Sequence, residues 1–315
     1  MATTTSPPRL DQKISHRADK TFSGLAKSAG IFILVTLAFV AIFLTAESLP
    51  ALVAEPESLP GGAGFLSYAG PLLFGTIWAA ILAMLFAVPL AIGIALFISH
   101  YAPRRLSQTL GYIIDLLAAI PSVVYGLWGI AVLAPALSGF YLWAAANLSF
   151  IPLFAGPAST TGRTILTASL VLAVMVLPIM TAINREVFLQ TPRLHEEAAL
   201  ALGATRWEMI QMTVFPYARS GIISGSMLGL GRALGETMAV AMVLSTTGGL
   251  LSFNLISNDN PSTIAANIAL KFPESSGVTV NALVATGLVL FIFTFVVNFA
   301  ARAIIARRAE FSGAN

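Results

Sequence analysis

The sequence predicts an all-α integral membrane protein with six transmembrane helices. Of its 315 residues, 57% are hydrophobic and only 10% charged, with a mean hydropathy of +0.85, too little polar material to coat a water-soluble globule. Six apolar runs are long enough for helices that cross a hydrocarbon layer about 30 Å thick at about 1.5 Å per residue. Lys and Arg fall almost wholly in alternate gaps between those runs, as expected when positive residues stay in the cytoplasm.

The runs extend from Ala29 to Ala46, Pro71 to Ile98, Gly111 to Leu137, Thr164 to Asn184, Gly221 to Gly249 and Asn281 to Ile305. Backbone polar groups cannot stay unpaired in lipid, and no barrel-type alternation is visible, so the runs are read as helices. On one side lie Arg9, Lys13, Arg17, Lys20, Lys27, Arg104, Arg105, Arg185, Arg193, Arg206, Arg219, Arg302, Arg307 and Arg308; on the other lie only Arg163 and Lys271. Fourteen against two, with Arg232 inside a run, orients both termini and the loop after the fourth run to the cytoplasm. The chain divides into a cytoplasmic tail at 1–28, a transmembrane domain at 29–305 and a second tail at 306–315. The first run, longer than a usual signal core, is read as an uncleaved helix. Gly139 to Pro157, with Phe140, Tyr141 and Trp143, is read as an external segment lying partly in the interface, because a seventh crossing would spoil the charge asymmetry. Asp115 is read as interfacial, and Pro89, Pro121 and Pro178 as kinks absorbed by packing.

Several chemistries are excluded. Without cysteine there are no disulfides and no thiolate nucleophiles or ligands. A net charge of +3 does not indicate nucleic acid, since the cations are scattered among apolar runs. No Gly-x-x-x-x-Gly-Lys-Ser/Thr phosphate cradle and no His-Glu-x-x-His pattern occur, and His16, His100 and His195 lie outside the runs. The chain is therefore expected to have no ATPase site, to bind no metal and no cofactor, and not to be an enzyme.

The loop between the fourth and fifth runs, 191–219, differs from its surroundings. It is bracketed by Pro192 and Pro216, and Glu196 and Glu197 open good helical material through Leu202. Gly203 permits a turn, and Thr205 caps a second helix through Val214 that Pro216 is expected to end. Two short helices joined at a glycine make a compact knob.

This loop resembles the cytoplasmic signature of the membrane subunits of bacterial ATP-binding cassette (ABC) importers: Glu197-Ala198-Ala199, Gly203 and Pro216 stand at the family spacing, while Thr213 and Phe215 replace the usual Ile and Leu. The resemblance implies the type I, MetI-like permease fold. It also implies that Glu197, Ala198, Ala199 and Gly203 carry the contact with an ATPase subunit.

The fifth run holds the other notable stretch, Gly221 to Val240. Gly221, Gly225 and Gly229 recur every fourth residue, and Gly231 and Gly235 do so on another face, where helices can approach backbone to backbone. Arg232 lies about 17 Å into the run, where a charge costs on the order of 3 kcal/mol and must face a partner or water. Glu236, at i+4, makes either a self-neutralising ion pair with it or a support that lets its guanidinium contact an anion in transit. The stretch Gly231-Arg-Ala-Leu-Gly-Glu-Thr-Met-Ala-Val240 is similar to the fifth-helix motif of the phosphate-specific importer permeases, PstC type rather than PstA type, and Ile120 to Gly129 is similar to another stretch of that family. The likeness implies that Arg232 and Glu236 move phosphate across the bacterial cytoplasmic membrane. It implies as partners a PstA-type second permease, an ATPase pair holding ATP and Mg, an extracytoplasmic phosphate-binding protein and the lipid bilayer. The competing readings are an ATP-independent anion carrier and an ABC permease for sulfate or molybdate.

Overall fold

The computed structural model of the protein describes residues 16–246 and 251–309. The start of the amino-terminal tail, the Gly249 end of the expected fifth run and the last residues of the carboxy-terminal tail lie outside the described residues. The helices are α1 (His16–Val53), α2 (Phe65–Leu96), α3 (Arg104–Ala118), α4 (Ser122–Trp128), α5 (Ala134–Asn147), α6 (Ile165–Leu189), α7 (Arg193–Ala201), α8 (Arg206–Met209), α9 (Phe215–Leu234), α10 (Met238–Val243), α11 (Ile264–Lys271) and α12 (Val278–Ala309). Among the described residues, β structure is confined to an isolated bridge between Thr246 and Asn260. Residues up to Glu47 form one compact unit and those from Ser48 another. In the first, α1 begins at His16, inside the segment expected to be a tail, and exposes Phe22, Phe32, Phe39 and Ile42.

Among the described residues, five continuous helical stretches are long and apolar enough to cross a membrane: Lys20–Val53, Phe65–Tyr101, Ser122–Asn147, Ile165–Leu189 and Val278–Ala303. Two sequence boundaries are corrected. The run from Gly111 to Leu137 straddles a break: α3 ends at Ala118, and Pro121 stands at the start of α4, since the residue before a proline is steered away from helical geometry. The stretch long and apolar enough to cross is Ser122–Asn147, so Gly139 to Asn147 is helical and continuous with it. α3 is instead amphipathic, with Arg104, Arg105 and Asp115 exposed and Gly111 and Ile114 buried. The Gly221 run is also interrupted, at Gly235–Thr237 between α9 and α10.

Three π turns follow one rule. Phe97–Tyr101, Gly129–Leu133 and Ile210–Val214 each stand just ahead of a proline, and the residue before that proline donates its N–H five residues back: Ala102 to Phe97, Ala134 to Gly129, and Phe215 to Ile210. The wider turn shifts the carbonyl that a proline ring would otherwise strike. Consequently Pro216 does not end the second loop helix, which runs on into α9.

Within the second unit the centre is α2 against α6. Ala79, Ala83, Ala87, Ala91 and Ala95 recur every fourth residue of α2 and are 0–1% exposed, facing α6 residues such as Leu172, Val176 and Met180. Lipid tails are as apolar as these side chains, so close packing rather than escape from water holds such a pair. α9 closes on the same helix through its glycines: an added Cβ would strike Val187 at Gly221, Ile183 and Asn184 at Gly225, and would stand 2.5 Å from Met180 Sδ at Gly229. By contrast, a Cβ at Gly231 meets nothing within 4 Å, so that glycine is not closely packed by any described residue. Gly221→Ala is therefore expected to cost roughly 1–3 kcal/mol through overpacking, while Gly231→Ala is neutral or slightly stabilising. Thermal denaturation of the purified chain in detergent would measure both.

Candidate translocation site and docking knob

The interruption between α9 and α10 builds the site around Arg232. Gly235 ends α9, and its N–H bonds to Gly231 O at 3.3 Å. The next residue turns away, and Glu236, 9% exposed, accepts the Ala239 N–H on Oε1 at 3.1 Å. Glu236 thereby caps the start of α10, satisfying one of the amides that a helix leaves without a partner. Arg232 lies in the last turn of α9, where helix carbonyls favour a cation, and Glu236 lies where amides favour an anion. The expected i, i+4 pair does not form among the described residues, because the break removes the helical register that would align the two side chains. Each charge is instead set against a different helix end.

Arg232 is half-buried. Its charge reaches the Tyr125 hydroxyl, which donates to Leu117 O at 2.9 Å across the α3–α4 break. It also lines a cavity of about 570 Å³ between α6, α9 and α12.

Two polar groups that sequence reasoning had left out hold the far end of the interruption. Arg163, counted only as a topological charge, donates from Nη2 to Met242 O at 3.1 Å and from Nε to Val243 O at 3.4 Å, so it caps the far end of α10. Asn260 donates to the carbonyls of Arg163, Ser245, Ser257 and Asn258, and accepts the Ile165 N–H at 3.0 Å. This ties the loop after α10 to the start of α6. A signal for it was present: Asn254, Asn258, Asp259 and Asn260 crowd one short stretch, and such side chains readily bond to nearby backbone.

The knob consists of α7, the turn at Gly203 and α8. Gly203 has φ +88°, a left-handed conformation that a Cβ would strain. Thr205 and Glu208 form a reciprocal cap: Glu208 Oε2 accepts the Thr205 N–H at 2.7 Å, and Thr205 Oγ1 accepts the Glu208 N–H at 3.3 Å. The Thr205 N–H, with the Thr205 hydroxyl also donating to Oε2 at 2.8 Å, holds the Glu208 carboxyl below its ordinary value of 4.5. The cap is thus complete at neutral pH and is lost only as the pH falls through that lowered value. Of the residues assigned to docking, Glu197, Ala198 and Gly203 are exposed, whereas Ala199 packs inward against a cluster containing Ala95, Leu96, Phe188 and Ile210. The exposed face adds apolar residues: Leu194 is 77% exposed, Leu202 87% and Trp207 50%. Glu196 Oε1 lies 3.6 Å from His100 Nε2 at the end of α2, a second tie between knob and bundle.

From Arg206 to Leu234 the chain is helical throughout, so the exposed Trp207 and the half-buried Arg232 stand on one element, separated by about 37 Å of axis at 1.5 Å per residue. A family model described as the inner membrane component of binding-protein-dependent transport systems matches residues 87–310. The chain belongs to that family. It is 45% identical over 306 residues to the phosphate transport system permease protein PstC 2 of Mycobacterium tuberculosis, covering 94% of each chain. It is 42% identical to the phosphate transport system permease protein PstC of Mycobacterium leprae, covering 97% of this chain and 98% of the relative. A bacterial ABC transporter involved in importing the acidic polysaccharide alginate superposes with a TM-score of 0.62 at 16% identity, over 92% of this chain and 96% of that one. That likeness shows the ABC permease fold. With five apolar helices of sufficient length, this family member is a multi-pass inner membrane protein.

The capping role of Glu236 separates two substitutions. Glu236→Gln keeps an oxygen for the Ala239 N–H and is expected to leave the thermal stability of the detergent-purified chain near that of the wild type. Glu236→Ala removes the cap and is expected to cost about 1 kcal/mol.

Proposed function

We propose that the chain is the membrane-spanning permease subunit of an ABC importer that carries inorganic phosphate into the cell. The observation that carries this reading is the 45% identity, over 94% of each chain, to a protein named as a phosphate transport permease. The site chemistry agrees with it, because a guanidinium without a carboxylate partner offers fork-shaped donors to an oxyanion.

Both termini and the knob lie in the cytoplasm, and the chain crosses the membrane six times, with α9 as the sixth helix beside the five long apolar stretches. Its orientation follows the distribution of Lys and Arg. ATP and Mg are bound by a separate ATPase pair, and a second permease of the PstA type completes a pathway that this chain lines on one side. An extracytoplasmic phosphate-binding protein delivers the ion. The knob docks on the ATPase through Glu197, Ala198, Gly203 and the exposed Leu202. Ala199 contributes from beneath by fixing α7 to the bundle. Closure of the ATPase pair moves the knob, and the helix Arg206–Leu234 carries that displacement to Arg232. Glu236 holds the hinge beside it. An ATP-independent carrier has no use for such a docking surface.

Uptake of labelled phosphate, sulfate and molybdate by cells carrying the whole transporter tests this reading. Phosphate is expected to be the preferred substrate, and Arg232→Ala is expected to lower its uptake more than about tenfold with the chain still present in the membrane. Normal phosphate uptake in that variant would remove Arg232 from the path.

A further inference from the structure

We propose that Arg302 is a second cationic station for the translocated phosphate, between Arg232 and the cytoplasm. The inference rests on the phosphate-permease reading above. Arg232 of α9 and Arg302 of α12 line the same cavity of about 570 Å³, whose polar wall also includes Ser224 and Asn298. Among the described residues no Asp or Glu lines that cavity, and neither arginine forms an ion pair. Arg232 is half-buried and Arg302 exposed; two like charges lining one cavity repel each other, and an anion between them relieves the repulsion. Guanidinium forks fit the oxygens of a tetrahedral phosphate group, and the Asn298 amide supplies a neutral donor beside them.

Position gives the second charge a purpose. Arg302 lies about 36 Å along α12 from Val278 at 1.5 Å per residue, toward the end assigned to the cytoplasm. A single midspan cation would hold a multivalent anion too firmly for rapid release. A second site on the exit side competes for the ion and draws it onward, the condition that conduction through binding sites demands. The α9 wall offers no obstruction, since a Cβ at Gly231 would meet nothing within 4 Å.

The same chemistry would also accept the phosphate of a lipid headgroup, and two measurements separate the sources. In the first, labelled-phosphate uptake is followed across external concentrations in cells carrying the whole transporter, with rates normalised to the amount of chain in the membrane. Arg302→Gln is expected to lower the maximal rate about tenfold while leaving the half-saturating concentration, which is set at the external face, unchanged. Arg302→Lys, which keeps the charge but not the fork, is expected to fall between Gln and wild type. A wild-type rate per chain in Arg302→Gln would overturn the proposal. In the second, the membrane complex is purified without any binding protein in a phosphate-free maltoside detergent and heated with or without inorganic phosphate. The wild type is expected to melt at higher temperature with phosphate, and Arg302→Gln to shift less. Equal shifts in the two proteins, or a shift produced by phosphatidylglycerol and not by inorganic phosphate, would contradict it. Failure of the wild-type transporter to take up phosphate at all would instead sink the reading on which the inference rests.

Discussion

Inside hydrocarbon no water replaces a lost backbone hydrogen bond, so every departure from a regular helix must be satisfied by the protein itself. Each interruption in this chain shows how. At Gly235–Thr237 the Glu236 carboxylate takes up an amide of α10, and Arg163 takes up carbonyls at its other end. At the α3–α4 break the Tyr125 hydroxyl covers Leu117 O. Ahead of Pro135 and Pro216 the ladder widens to a π turn rather than opening. The irregular backbone, the part of a transporter able to rearrange, is therefore held by a small number of polar side chains.

The same constraint arranges the charges. A guanidinium and a carboxylate four residues apart on an unbroken helix would neutralise each other and leave little for an anion. The break gives Glu236 the amides of α10, keeps Arg232 at the carbonyl end of α9, and leaves the guanidinium facing a cavity. Packing of α9 on α6 through Gly221, Gly225 and Gly229 fixes where that charge stands. The continuous helix Arg206–Leu234 connects the site to the knob.

The all-helical membrane character was legible in the sequence because apolar length reports directly on the membrane. Gly221, Gly225 and Gly229 read correctly as a close-packing face, and Gly203 as a turn. Hydropathy could not see breaks lying inside apolar stretches. Gly111 to Leu137 is uniformly apolar near Pro121, so one window covered the end of an amphipathic helix and the start of a crossing one. Pro216 misled for a related reason: a proline inside a helix need not end it, as Pro89 in α2 and Pro178 in α6 also show. The separation of Arg232 from Glu236 was hidden because residue spacing implies a shared face only where the helix persists. Arg163 and Arg302 were read as topological charges, since their contacts come from segments distant in the chain.

The central claim is that displacement of the knob reaches Arg232 through a stiff helix. Because the chain contains no cysteine, cysteines introduced at Arg206, Leu228 and Phe295 can be spin-labelled on the purified chain without background, the chain assembled with its partner subunits, and distances measured with and without ATP. The account predicts that the 206–228 separation, about 33 Å along the helix axis, stays constant while the 228–295 separation between α9 and α12 changes. A 206–228 distance that changes with nucleotide, bending at the π turn Ile210–Val214, together with a fixed 228–295 distance would contradict it.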